Sequence, residues 1–581
     1  MNSDSVLPQQ LTDSLASRNT DIFFGVRFLT FPVLIALITL VGFLIRLSFL
    51  NETIYNADEA YVTIFASKAA NFWALESWRD FPFTGLKTSF GFRNPPLFIY
   101  LLAPFFVFTT DPRFAMVGLI TLGSVAIALF GFTARRLLTP KAGLIAALMV
   151  AFLPNAVQHC RQLWGHDVQL FFAALCFFAT ERSLRDYRAR WFIISILSAA
   201  FAQACHLSGM FLWCLPTFAA LSFPKTKFIR IVAAEILIVI FVYLPWLAEE
   251  AGWTVATPRP DGNFANTKLM ISIFTGGGNS TPVETPFHPF WGWFGVLTDS
   301  FRLDIIGGYY FETYYENPTL ASLMLIFQYG LGVLMILGLL MMAKDAKSSQ
   351  TPMLFWGIIT TSITPMITFS LLPVSSVPLY QLPAFFPGCF AVLYFIYRMP
   401  DALQSISREL LPQQQIRTVA LTVLLILVVG GGSIHALRTS IVRSKANFTQ
   451  DLPTTFETKF NTILLCFTVA EVNEGLARNQ YTITQNGRSP EAGVDVWIAA
   501  LSYSITGERA LPYNPDADQA FLLVDNEAIL REPLQVFLNR FDYTPIKTIR
   551  VYRLFGNELQ AWRRLTRQFP SVKPEAIAEQ N

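Results

Sequence analysis

Charge is what this chain has least of. Of its 581 residues only 14% are Asp, Glu, Lys or Arg, while 53% are hydrophobic and the mean hydropathy is +0.43. A soluble protein of this length carries about a quarter of its residues as charges, so a soluble globular class is excluded. The net charge of +3 and the lack of any long basic run leave nucleic-acid binding without an electrostatic basis. The six cysteines include no CxxC pair, which removes zinc knuckles and redox motifs. Nor is there an HxxxH or HExxH spacing. His159, His166 and His206 with Glu59 are a conceivable divalent-metal set, but no spacing supports it, so the sequence makes no cofactor certain.

What the chain has instead is apolar runs. They recur at 28–47, 114–134, 142–158, 168–180, 191–207, 208–223, 228–247, 320–342, 352–372, 378–397 and 417–436. Most approach the length of about 20 residues that a crossing helix needs. The expected fold class is therefore mainly α: a polytopic membrane helical bundle of about 11 spans with juxtamembrane helices and a small extracytoplasmic α/β C-terminal domain. The first run is too long for a signal-peptide core and lacks a small-residue cleavage site, so it is expected to remain as an anchor.

Basic residues fall in alternate short loops: Arg135, Arg136 and Lys141; Arg182, Arg185, Arg188 and Arg190; Lys225, Lys227 and Arg230; Lys344 and Lys347; Arg398, Arg408 and Arg417. By the positive-inside rule these loops are cytoplasmic. That gives a cytoplasmic tail over 1–27, a membrane domain over 28–436 with outer loops 51–94 and 248–318, and an outer domain over 437–581. The expected location is a bacterial inner (plasma) membrane, with the N-terminus cytoplasmic. Parity then requires the run at 95–110 to be a juxtamembrane or re-entrant helix, which its opening Pro95-Pro96 suits. In the outer domain, Phe521–Val524 and Ile549–Arg553 read as strands and Leu530 to Phe541 as a helix.

Within the spans charge is nearly absent, with Arg46 and Glu235 the exceptions. Ion-coupled transporters usually carry ionisable residues along a path, and no internal repeat is evident. Polar residues gather on the outer side. The first outer loop holds Asp58-Glu59-Ala60-Tyr61, which reads either as a solvated pair capping a helix or as a catalytic acid pair. Arg93-Asn94-Pro95-Pro96 and the stretch from His159 and Arg161 to His166-Asp167 follow, and Arg113 and Arg161 are the basic residues of the outer short loops. A carboxylate can take a proton from an acceptor hydroxyl while arginines hold and stabilise a departing phosphate. The loop at 248–318, rich in Trp, Tyr, Pro and Gly, suits head-group anchoring or stacking on sugar rings.

This combination resembles the GT-C superfamily of membrane glycosyltransferases, and within it the protein O-mannosyltransferase and aminoarabinose transferase group. The residues that carry the resemblance are Asp58-Glu59-Ala60-Tyr61, Asn94-Pro95-Pro96-Leu97, Arg161 with Asp167, and Tyr380-Gln381-Leu382-Pro383, over roughly 28–400. The resemblance implies a polyprenyl-phosphate-linked sugar donor, a lipid, glycan or protein acceptor, and transfer with inversion. It implies Asp58 as base with Glu59 beside it, Arg93, Arg161 and Arg113 at the donor phosphate, and Tyr61, Asn94, His166, Asp167 and Tyr380 around the pocket. Relatives often carry Lys or His where Asn94 stands, and Arg93 is the nearest cation to take that place. A transporter or flippase of a lipid-linked saccharide, working without bond cleavage, would use the same outer arginines and aromatics.

Overall fold

The computed structural model describes residues 30–48, 50, 57–74, 81–85, 93–109, 112–253, 268, 318–349, 351–371, 382–406, 413–446, 462–467, 519–525, 536–546, 549–555, 557–558 and 560–561. The described chain is mostly helical. Its membrane part runs α1 (Phe31–Ser48), α2 (Ala57–Ala70), α3 (Leu97–Phe106), α4 (Pro112–Leu137), α5 (Pro140–Phe152), α6 (Pro154–Gln158), α7 (Gln169–Asp186) and α8 (Ala189–Cys205). A 3-10 stretch (Leu207–Trp213) leads into α9 (Cys214–Ala220), α10 (Lys225–Glu250), α11 (Pro318–Asp345), α12 (Pro352–Leu371), α13 (Leu382–Ile406) and α14 (Gln413–Ala446).

Four of these helices are long and apolar enough to cross a membrane, and five shorter apolar helices accompany them. With the composition, this makes the chain an integral membrane protein. The perimeter agrees with that environment. On α1 the buried residues are Ile35, Gly42 and Arg46, while Val33, Leu37, Leu40, Val41 and Leu44 are exposed. Such an apolar face is costly in water and at ease among acyl chains. Inside, aromatic rings fill the space between α4, α7 and α13: Phe130 lies 5.0 Å from Phe386 and 6.1 Å from Phe177, which lies 5.7 Å from Phe390. Edge and tilted contacts of this kind are the favoured ring geometries.

Helix ends follow local chemistry. Pro112 opens α4 and Pro140 opens α5, where a missing N–H costs nothing. Thr139 caps α5 through its hydroxyl, which accepts from the Ala142 N–H at 3.2 Å. Pro154 stops α5 after thirteen residues, so the run expected as one span over 142–158 is in fact α5 and α6. The run expected over 208–223 begins as 3-10 helix, because Leu207–Trp213 is apolar but not α-helical. The run near 95–110 yields the ten-residue α3, about 15 Å long, half the thickness of a bilayer core. The first outer loop, read as loop from sequence, contains α2.

At the arginine-bearing end the helices are laced by ion pairs. Arg136 of α4 meets Glu181 (3.3 Å) and Asp186 (3.7 Å) of α7, and Arg185 meets Glu181 at 2.9 Å. Arg398 bridges Asp345 (2.8 Å) and Asp401 (3.1 Å), and Arg417 meets Asp401 at 2.6 Å. These pairs bring the last turns of α4 and α7 together and tie the last turn of α11 to α13, and the Thr139 hydroxyl after α4 meets the Tyr397 hydroxyl of α13, so both groups lie at one end of the bundle.

Beyond α14 the described residues form a four-stranded sheet of β1 (Thr462–Phe467), β2 (Gln519–Asp525), β3 (Tyr543–Ile546) and β4 (Ile549–Phe555), in the order β1-β2-β4-β3. β1 and β2 are parallel and the other pairings antiparallel, with Phe521 opposite Arg553 and Tyr543 opposite Tyr552. The strands read at 521–524 and 549–553 are β2 and β4. Of the helix expected over 530–541, residues 536–541 are described: 536–538 are helix, and 539–541 are turn and bend.

Candidate active site at the arginine-poor helix ends

The end of the bundle opposite the ion pairs gathers three segments: 93–96 ahead of α3, 159–168 between α6 and α7, and the junction at His206 between α8 and the 3-10 stretch. Each is non-helical backbone at a helix end, and each needs hydrogen-bond partners from its neighbours.

Buried Asn94 joins two of them, its side-chain Oδ1 accepting from the Leu207 N–H at 3.2 Å. The Asn94 carbonyl accepts from Gly85 N–H at 2.7 Å, and a Cβ on Gly85 would come within 2.6 Å of the Pro95 carbonyl, so glycine permits that approach. Trp246 of α10 donates its indole N–H to the Arg93 carbonyl at 3.0 Å. The segment that carries Arg93 is thus held from two sides.

Gln169 joins the other pair. Its amide nitrogen donates to the carbonyls of Ala202 (3.2 Å) and His206 (2.9 Å), and its oxygen accepts from the Ser208 hydroxyl at 2.9 Å. Ser208 N–H donates to His206 Nδ1 at 3.2 Å, which assigns the His206 proton to Nε2. The His206 ring lies on the His166 ring with centroids 3.6 Å apart. Two cations could not share that spacing. Burial, and then His159, pushes the His166 imidazole down to about 3. Burial, and then His166, holds His206 well below the usual range. Both are neutral at neutral pH.

Asp167 is buried, its Oδ2 accepting from the Gln162 N–H at 2.6 Å and its Oδ1 lying 3.5 Å from His159 Nδ1. It closes the loop that presents Arg161, itself 2% exposed. The loop is anchored from below by Arg46. That guanidinium is fully buried and donates to the carbonyls of Gly42 (2.9 Å), Val150 (2.8 Å), Ala151 (3.3 Å) and Ala156 (3.0 Å), and to Cys160 Sγ at 2.9 Å. Pro154 has no N–H to offer the Val150 carbonyl four residues back, and Arg46 supplies the missing donor.

The sequence-derived residues therefore fall into groups. Arg93, Asn94, Arg161, His166 and Asp167 lie in the three joined segments. Arg113 sits exposed in the first turn of α4. Asp58, Glu59 and Tyr61 lie in the first turns of α2, which packs against α3. Carboxylates in a first turn are favoured by the helix dipole. Tyr380 and most of the 248–318 loop lie outside the described residues. Among the described residues no group of three or more His, Cys, Asp or Glu is placed to hold a metal ion. Sequence reasoning missed Gln169, Ser208 and Trp246. Gln169 had a signal, as an amide two residues after Asp167 at the head of an apolar run.

The family model for dolichyl-phosphate-mannose-protein mannosyltransferase matches residues 93–248. Over these residues the chain resembles that mannosyltransferase family. The matched stretch contains Arg93, Asn94, Arg113, Arg161, His166 and Asp167, and the resemblance read from the sequence motifs is met there by an independent comparison. Among solved structures the chain is similar to ArnT from Cupriavidus metallidurans bound to undecaprenyl phosphate, at 11% identity over 89% of this chain and 97% of that one, TM-score 0.49. It is also similar to the archaeal oligosaccharyltransferase AglB from Archaeoglobus fulgidus in complex with an inhibitory peptide and a dolichol-phosphate, at 11% identity over 91% of this chain and 77% of that one, TM-score 0.42. A comparison with curated proteins finds no match.

Proposed function

We propose that the chain is a membrane glycosyltransferase that moves one sugar from a polyprenyl-phosphate donor to an acceptor hydroxyl at the outer face of the membrane. The observation that carries this reading is the bond of Asn94 to the junction at His206, which Gln169 ties in turn to the end of the loop bearing Arg161, within the stretch matched by the mannosyltransferase family. The carboxylates of α2 begin the helix that packs on α3, the element this segment opens.

In the proposed reaction the Asp58 carboxylate takes the acceptor hydroxyl proton as that oxygen bonds to the anomeric carbon. The bond from that carbon to the phosphate oxygen breaks on the opposite side, so the configuration inverts. The leaving polyprenyl phosphate keeps the electron pair and is stabilised by Arg93 and Arg161, with Arg113 at the margin. The neutral histidines do not compete as acids; they fix the loops. The reading includes about eleven spans, a cytoplasmic N-terminus in a bacterial inner membrane, and the C-terminal sheet as part of an outer α/β domain.

Asp58→Asn tests the base. It is expected to abolish transfer while donor binding and folding persist, and full activity in that variant removes Asp58 from the mechanism. Release of polyprenyl phosphate by the wild-type protein separates transfer from transport, since a flippase moves the carrier and cleaves nothing.

A further inference from the structure

The arginine-bearing end of the bundle carries a second arrangement that the proposed chemistry does not use. Trp191 lies in the first turn of the seventeen-residue α8, against Phe178 of α7 (ring centroids 5.6 Å apart). Two guanidinium groups flank the indole, Arg182 and Arg190, each 5.5 Å from the ring centroid. Arg182 also lies 5.6 Å from the Phe178 ring. Cation–π contacts at this distance hold a guanidinium without neutralising it.

The carboxylates nearby are already engaged. Glu181 is held by Arg136 and Arg185, and Asp186 by Arg136 and Arg182. Five guanidinium groups, those of Arg136, Arg182, Arg185, Arg188 and Arg190, thus face two acids. Arg188 and Arg190 are exposed and meet no carboxylate among the described residues. Two donors are also left over: Trp191 Nε1 and Arg182 Nε are sealed from solvent with no acceptor. Arg188 begins α8 without a side-chain cap, so the first-turn N–H groups point the same helix end toward an anion.

We infer that this cluster binds the phosphodiester head group of an anionic phospholipid from the adjoining leaflet. Its place decides the occupant. α7 and α8 are apolar up to this turn, and Trp at a span end sits at head-group depth. A lipid phosphate there meets Arg188 and Arg190 directly. The surplus positive charge of the cluster matches an anion and disfavours a zwitterionic head group.

The test is native mass spectrometry of the purified full-length protein, with phosphatidylglycerol competing against phosphatidylcholine. Wild type is expected to retain phosphatidylglycerol preferentially. Each guanidinium near a membrane surface is worth about a factor of five in affinity, so Arg188→Gln with Arg190→Gln should lower the preference about twenty-five-fold. Trp191→Phe should lower it severalfold with the unfolding temperature unchanged. Lys347→Gln, an exposed basic residue on another element, should leave it as it is. A double variant that keeps its preference overturns the site, as does an equal loss in Lys347→Gln, which would mean unspecific surface charge. Displacement of the lipid by excess inorganic phosphate would make the cluster a free-anion site and overturn the lipid assignment.

Discussion

Replacing Arg46 by methionine should destabilise the protein more than a surface change of any size, although Arg46 touches no proposed substrate. The side chain is fully buried and its guanidinium reaches three carbonyls across the break between α5 and α6, those of Val150, Ala151 and Ala156. Methionine fills much of the same volume and offers no donor. A hydrogen bond from a charged donor contributes about 1.5–3 kcal/mol, so losing three costs roughly 4–9 kcal/mol. Against this stands relief from burying a charge that meets no carboxylate among the described residues, worth several kcal/mol. The balance is a loss of about 3 kcal/mol, expected to lower the apparent unfolding temperature by about 2–3 °C for a chain of this length. Tryptophan fluorescence on heating in detergent reads this directly. Arg46→Lys should not rescue, since one ammonium cannot span carbonyls on both sides of the break. If Arg46→Met melts with wild type, those carbonyls have other donors and Arg46 does not pin the Arg161 loop.

Asn94→Ala removes the acceptor for Leu207 N–H and should cost about 1–2 kcal/mol, while Asn94→Asp keeps an acceptor and should retain most of the stability; equal losses in both would mean the hydrogen bond to Leu207 contributes nothing. The His166–His206 stack predicts acid sensitivity with a definite sign. Unfolded histidine titrates near 6.5, whereas folded His166 stays neutral down to about 3, so between these values the unfolded chain takes up a proton that the folded one refuses. Stability should therefore be fully present above about pH 6.5 and fall as pH drops toward 3, and His166→Phe should flatten that part of the curve. A wild-type curve flat over this interval contradicts the buried neutral pair.

The membrane part of the fold was legible because it depends on composition over long windows. Apolar runs and alternating arginines are additive signals, and Arg136 and Arg182 do stand near the ends of α4 and α7 among ion pairs. The breaks were less legible. Leu207–Trp213 is as apolar as a helix, and nothing in its composition distinguishes 3-10 from α geometry. α2 escaped notice because Ala57–Ala70 has no apolar stripe to mark a helix. For the site, residue types near Arg93 and Arg161 were readable, but what they bond to was not. The Asn94 amide meets a backbone N–H 113 residues away, a tertiary fact that no local pattern encodes.

The two hydrogen bonds that the Gln169 amide donates to the Ala202 and His206 carbonyls give α7 and α8 a shared mechanical fate. One amide bolts the root of one helix to the tip of the next, and Gly165 is seated so tightly that a methyl there would strike the Cys205 carbonyl at 2.3 Å. Sliding these two rods past each other would strand polar backbone in an oily surround, where no solvent replaces what is lost. They behave as a single strut, and whatever breathing the proposed lipid-linked donor demands on entry must be supplied by helices outside it.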